Sequence, residues 1–185
     1  MVPSATVRLG GAPLAEALFD PIPNLYDEVF SQPPFAWEES EPEDHRKRLM
    51  RVMAEPTFGL TVALAEGALV GFAYGYTSAP DSPRWTGFTP PLSAGLTAEW
   101  PGRTFALVDL AVRGAWRGKG IGRRLVDELL SSRHEERAVH KTEPEVIETG
   151  KFYVRTGWRR VGQRAIPDSS VPLWDVYVRE LQRKP

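Results

Sequence analysis

The chain has 185 residues, 42% of them hydrophobic and 25% charged, with a formal net charge of −1. That is the composition of a single globular domain, read over 1–185, with a sizeable core and without the basic excess that bulk nucleic-acid binding needs. The absence of cysteine excludes disulfides, thiolate metal sites and a thiol nucleophile, and no metal is expected.

Along the chain, Met1 to Thr6 lacks the charged and apolar regions of a signal peptide, and no apolar run approaches the ~20 residues of a membrane span. A cytoplasmic protein with no membrane partner is therefore expected. Thr6 to Leu9 reads as a short first strand. Asn24 to Phe30 places Leu25, Tyr26, Val29 and Phe30 at helical spacing, stopped by Pro33-Pro34. Ser40-x-x-Glu43 has the form of a capping box ahead of a second helix carrying Leu49, Met50, Val52 and Met53. Gly59 to Ala65 and Leu69 to Tyr76 then flank Glu66-Gly67, the clearest hairpin in the chain. Thr77 to Arg103 breaks the periodicity, with five prolines among Trp85, Phe88 and Trp100. Ordered aromatics in such a loop suggest a structured flap near a site, with a loop packed on its own domain as the equal alternative.

Phe105 to Val112 is an apolar strand, followed by Arg117-Gly118-Lys119-Gly120-Ile121-Gly122 and by a helix with Ile121, Leu125, Val126, Leu129 and Leu130 on one face. A strand that turns through a basic, glycine-rich loop into a helix points unpaired amides and a positive dipole end at one spot, which suits a phosphate group. Two familiar phosphate loops fail on counting. A Walker A loop would need glycine at Arg113 and a hydroxyl at Gly120; the dinucleotide fingerprint would need glycine at Arg123. Beyond the helix, Ala138 to Lys141 is a further strand. Thr142-x-x-Glu145 reads as the cap of a helix running to about Arg155, which Gly157 terminates. Trp158 to Gln163 and Trp174 to Arg179 close the chain as a pair of strands.

The pattern that does fit the loop is Arg/Gln-x-x-Gly-x-Gly/Ala, met by Arg117, Gly120 and Gly122. Here the sequence resembles the GNAT superfamily of N-acetyltransferases, whose main motif is this strand, loop and helix. The resemblance implies acetyl-CoA as acyl donor, held by Leu110, Ala111 and Val112 of the strand and by Arg117, Gly118, Lys119, Gly120, Ile121, Gly122 and Arg123. In the family the loop amides cradle the pyrophosphate. Many members carry proline where this chain has Gly114. The order of elements matches the family over nearly the whole chain. The implied fold is α/β (α+β): a mixed central sheet of about six to seven strands with a splayed parallel pair, flanked by about four helices.

Acetyl transfer to an amine sets three demands. An alkylammonium with a pKa near ~10 must lose a proton, the thioester oxygen needs donors where negative charge develops, and the departing thiolate needs a proton. Phe152-Tyr153-Val154-Arg155-Thr156-Gly157-Trp158 resembles the family's second motif, Phe-Tyr-x-x-x-Gly-Phe. The resemblance implies Tyr153 as general acid beside the sulfur, with plain core packing as the alternative. The family often has asparagine where this chain has Val146, so one hydrogen bond to the cofactor goes unsupplied. For the oxyanion it implies a main-chain N–H near Leu110 or Ala111.

For the base, Asp109 is a carboxylate inside an apolar strand, on one face with Leu107 and Ala111. Burial would raise its pKa into a useful range, whereas pairing with an arginine would make it structural. His140 has a suitable intrinsic pKa, although a lone strand histidine is usually packed. Trp37, Glu38 and Glu39 line the acceptor wall on the family's pattern; most of the acidic run to Asp44 reads as a solvated face. The leading expectation is an N-acetyltransferase acting on a primary amine of a small molecule, metabolite or antibiotic-like, by direct attack in a ternary complex. Acetylation of a protein α-amine or lysine is the second reading, and a non-catalytic acetyl-CoA sensor the third. No nucleic-acid partner is expected, and the assembly is open, a homodimer being one option.

Overall fold

A computed structural model of the chain describes residues 4–182. The first three residues of the stretch read for a signal peptide, and the last three of the 1–185 domain, lie outside the described residues. In chain order the elements are β1 (Thr6–Gly10), α1 (Ala12–Ala17), α2 (Pro21–Phe30), α3 (Glu41–Met53), β2 (Gly59–Ala65), β3 (Ala68–Thr77), α4 (Ala94–Thr97), β4 (Thr104–Val112), α5 (Ile121–Ser131), β5 (Arg137–Thr142), α6 (Ile147–Arg155), β6 (Arg159–Arg164) and β7 (Trp174–Glu180).

The strands form a seven-stranded sheet in the order β1-β2-β3-β4-β5-β7-β6. β4 and β5 are parallel. Their register runs from Thr104–Arg137 to Ala106–Val139 and stops there, while β5 continues against antiparallel β7 to Thr142–Asp175. The mixed sheet agrees with the expected fold class. The described residues hold six helices and not about four, because α1 and α4 have six and four residues, too few to show a period.

The described residues fall into two compact units. The first comprises those up to Pro33, with Trp37–Tyr76 and Leu107–Arg133; the second comprises Pro34–Ala36, Thr77–Ala106 and His134 onward. In the first, alternation along β2 sends Leu60 and Val62 into a core with Ile22, Leu25 and Val29 of α2 and Leu49 and Val52 of α3. Each such side chain, once buried, contributes about 1.5–3 kcal/mol. Thr61, between Leu60 and Val62, faces the other way and donates to the Leu125 carbonyl of α5 at 2.9 Å. The hairpin turns as expected, with Glu66 and Gly67 both at positive φ.

In the second unit the segment 77–103 is ordered around a buried cation. Arg137, 2% exposed, pairs with Glu99 at 2.7 Å and donates to Thr104 Oγ1 and to the Leu96 carbonyl. Trp85 lies under its guanidinium at 4.7 Å and donates its own N–H to Glu99.

Both capping boxes are corrected. Ser40 does precede α3, but its φ and ψ of −75° and −16° are helical, and it makes no side-chain cap. A cap needs an extended residue there, and Pro42 offers no N–H in the first turn. Glu43 pairs instead with Lys47 at 2.7 Å. Thr142 is the last residue of β5, and α6 begins five residues later, after Val146.

Candidate active site

β4 ends at Val112, and the Arg113 N–H closes onto the Val70 carbonyl at 2.8 Å. After a short 3-10 turn at Gly114–Trp116, Gly118 and Gly120 take φ values of 72° and 77°, the left-handed region that a Cβ disfavours. Gly120 is the N-cap of α5 and supplies no side-chain cap. The first backbone bond of the helix runs from the Arg124 N–H to the Gly120 carbonyl, so the N–H groups of Ile121, Gly122 and Arg123 precede it. No atom stands within 4 Å of where a Cβ would sit at Gly114, Gly118 or Gly120. Arg117 and Lys119 hold their cations over the loop, on the carbonyls of Val112 and Ala115 at 2.9 and 3.0 Å. Open space, unused amides and positive charge fit a phosphate group here.

Asp109, three residues before the strand's end, joins a polar cluster of the first unit. Tyr74 of β3 donates its hydroxyl to Oδ2, and Arg48 of α3 donates its Nε to the same oxygen at 3.3 Å. His45 Nε2 lies 3.7 Å away. Arg48 also donates to the Tyr26 hydroxyl at 3.0 Å, and Tyr26 donates to Glu41 at 2.6 Å. The His45 ring stacks on Tyr26 at 3.7 Å. Burial alone would push the Asp109 carboxyl up, but Arg48 and the donated hydrogen bonds hold it below its ordinary value. The expected upward shift is therefore corrected: the arginine partner outweighs desolvation. Burial lowers His45 to about 4, leaving it neutral at pH 7. The same burial, with the Asp109 charge, raises both phenols, Tyr26 and Tyr74.

In the second unit, Tyr153 is 1% exposed and sits among rings: His140 at 4.7 Å, Phe152 at 5.1 Å, Trp158 at 5.3 Å and Tyr177 at 5.6 Å. The end of α6 explains this placement. Gly157, at φ 88°, donates to Val154, and the Trp158 N–H reaches back to the Tyr153 carbonyl at 3.0 Å. That pair of bonds is a Schellman ending, whose usual apolar contact is here the edge of Tyr153 against Trp158. A hollow of about 380 Å³ beside α6, floored by Asp175 and Tyr177, is lined by none of the site residues expected from the sequence.

The sequence pattern of the Acetyltransferase (GNAT) family matches residues 22–158, well over half of the chain. The chain belongs to the GNAT acetyltransferase family. Membership implies acyltransferase activity. Among solved structures, an aminoglycoside 6'-acetyltransferase type Ii is similar at 17% identity and a TM-score of 0.68, over 97% of this chain and 99% of that one. An acetyltransferase from Thermus thermophilus gives 14% and 0.64, over 97% and 100%. An aminoglycoside N-acetyltransferase in complex with CoA gives 13% and 0.62, over 92% and 97%. At these identities the likeness is one of fold. No curated protein matches at a significant level.

Within this GNAT chain, the residues expected to meet CoA, Leu110 to Val112 and Arg117 to Arg123, fall in the first unit, as do Asp109 and Trp37. Trp37 is half-buried, 6.3 Å from Tyr26, while Glu38 and Glu39 are exposed. The second unit brings His140 and Tyr153 together. Tyr26, read in the sequence only as a helix residue, and Glu41, His45, Arg48 and Tyr74 are not among the site residues expected from the sequence. One signal for them existed: His45 sits four and seven residues before Leu49 and Val52, a polar residue on the apolar stripe of α3.

Proposed function

We propose that the protein transfers the acetyl group of acetyl-CoA to a primary amine of a small molecule, by direct attack while both substrates are bound. The observation that carries this reading is the left-handed glycine loop with three unused amides at the start of α5. Two of the similar folds are aminoglycoside acetyltransferases, one of them named an N-acetyltransferase and solved with CoA, which supports the donor and a small-molecule acceptor. The lack of any cysteine supports direct attack.

Acetyl-CoA brings the activated thioester; the chain's residues do the rest. Amides of Gly118 to Arg123 bind the diphosphate, with Arg117 and Lys119 adding positive potential. The main chain at Leu110 and Ala111 offers an N–H where the thioester oxygen gains charge. Tyr153 donates a proton to the departing sulfur, and His140 stands against its ring. Trp37, Glu38 and Glu39 bound the acceptor, whose ammonium gives its proton to solvent before the free amine attacks.

The test is thiol release from acetyl-CoA with a panel of small amines and peptides, alongside calorimetry with acetyl-CoA alone. Turnover with a small amine is expected. Turnover with peptides only would replace the acceptor class, and binding without turnover would make the protein a sensor. Acetyl label trapped covalently on the protein would refute direct attack.

A further inference from the structure

Every group that holds Asp109 meets the same oxygen. Tyr74 and Arg48 donate to Oδ2, and His45 Nε2 lies nearest that atom too. Among the described residues, the hydrogen bonds and ion pairs of Asp109 all end on Oδ2, none on Oδ1, and the side chain is 13% exposed. The next residues along β4 are Leu110 and Ala111, read above as receiving the thioester. A carboxylate is thus locked by one oxygen and open at the other.

We propose that Asp109 binds the ammonium group of the acceptor through Oδ1, with Arg48 and Tyr74 as positioning residues that hold Oδ2. This rests on the acetyl-transfer reading and assigns its acceptor a cationic head. A carboxylate already accepting two hydrogen bonds, one from a guanidinium, is a weak base, so it pairs with the ammonium without taking its proton, which the nitrogen gives up to solvent before it attacks the thioester. The surrounding charge agrees. Asp109 (−1), Glu41 (−1) and Arg48 (+1) sum to −1, with His45, Tyr26 and Tyr74 neutral at pH 7. These are the titratable groups that hydrogen bonds and ion pairs join to the carboxylate, directly or through Arg48; Arg46 of α3, which also acts on His45, is paired with Asp27 of α2 at 3.3 Å.

The experiment follows the Asp109 carboxyl carbon by NMR in protein labelled at aspartate Cγ, the signal being assigned by its loss in Asp109→Asn. Benzylamine and 1,4-diaminobutane are the cationic probes, and benzyl alcohol is the neutral isostere. The amines are expected to shift the Asp109 signal and the alcohol to leave it still. Asp109→Asn should weaken amine binding ~10-fold or more, as loss of a charged hydrogen bond does, with Asp109→Glu restoring part of it. The wild-type signal should titrate below the ordinary carboxylate range, move up in Arg48→Met and return towards wild type in Arg48→Lys. Amine binding that is equal in Asp109→Asn, or a wild-type signal that neither amine moves, overturns the proposal, and the second readout needs a variant only for assignment, for which Asp109→Glu serves as well. Thiol release is scored separately: a protein that binds amine at Asp109 but never turns over keeps this site and loses the transfer reading.

Discussion

Tyr153 is enclosed by rings, so removing its hydroxyl leaves its packing in place. Tyr153→Phe should lower kcat by about 100-fold, the scale of a general acid, with little change in KM for acetyl-CoA. Steady-state kinetics decide it, and wild-type turnover in the variant would leave Tyr153 a core residue only. His45 makes the opposite kind of prediction, about stability. The unfolded chain takes up its proton near the ordinary 6.5, the folded one only near about 4. The neutral ring's contribution is therefore whole above pH 6.5 and fades as pH falls to 4, by about 3 kcal/mol in all. Asp109, with its depressed carboxyl, loses stability in the same direction in stronger acid. Urea unfolding at steps between pH 7 and 4 should show His45→Gln with a flatter profile. An unchanged profile would put the titrating group elsewhere.

At the scale of elements, the phosphate loop is the feature on which most depends. Gly120→Ala forces a Cβ into left-handed backbone, costing about 1–2 kcal/mol of stability, and should weaken acetyl-CoA binding at least ~10-fold by calorimetry. Gly114→Ala, with open space and no positive φ, should bind as wild type. The segment 77–103 depends on the buried pair of Arg137 and Glu99. Arg137→Met strands a carboxylate that now accepts from Trp85, Thr104 and Arg137, and should cost about 3–5 kcal/mol in chemical denaturation, more than the double variant with Glu99→Gln. A double variant as unstable as the single would mean that packing, and not the stranded charge, is at stake. How legible these elements were depended on range. The hairpin at Glu66-Gly67, the helix from Ile121 and its loop follow from neighbouring residues, and all were readable. The two capping boxes were misread because a four-residue motif does not specify whether its first residue is extended or helical. That is decided by what precedes it and by Pro42.

For the whole molecule, a ligand that binds only the folded state must stabilise it. Acetyl-CoA at 100 times its Kd should add about 2.7 kcal/mol, a rise of several degrees in thermal unfolding for a chain of this length, and the rise should shrink in Gly120→Ala. No shift at any concentration would remove the cofactor. By itself the sequence determined the mixed sheet, the family and the loop, because apolar spacing and glycine placement are local properties of a chain. Tertiary structure alone decided what Asp109 is. Its partner Arg48 lies 61 residues away, and a carboxylate's charge and its open oxygen depend on what packs around it in a medium poor in water. Arg137 and Glu99, 38 residues apart, obey the same rule: nothing along the chain marks two charges as a pair until folding takes both out of solvent.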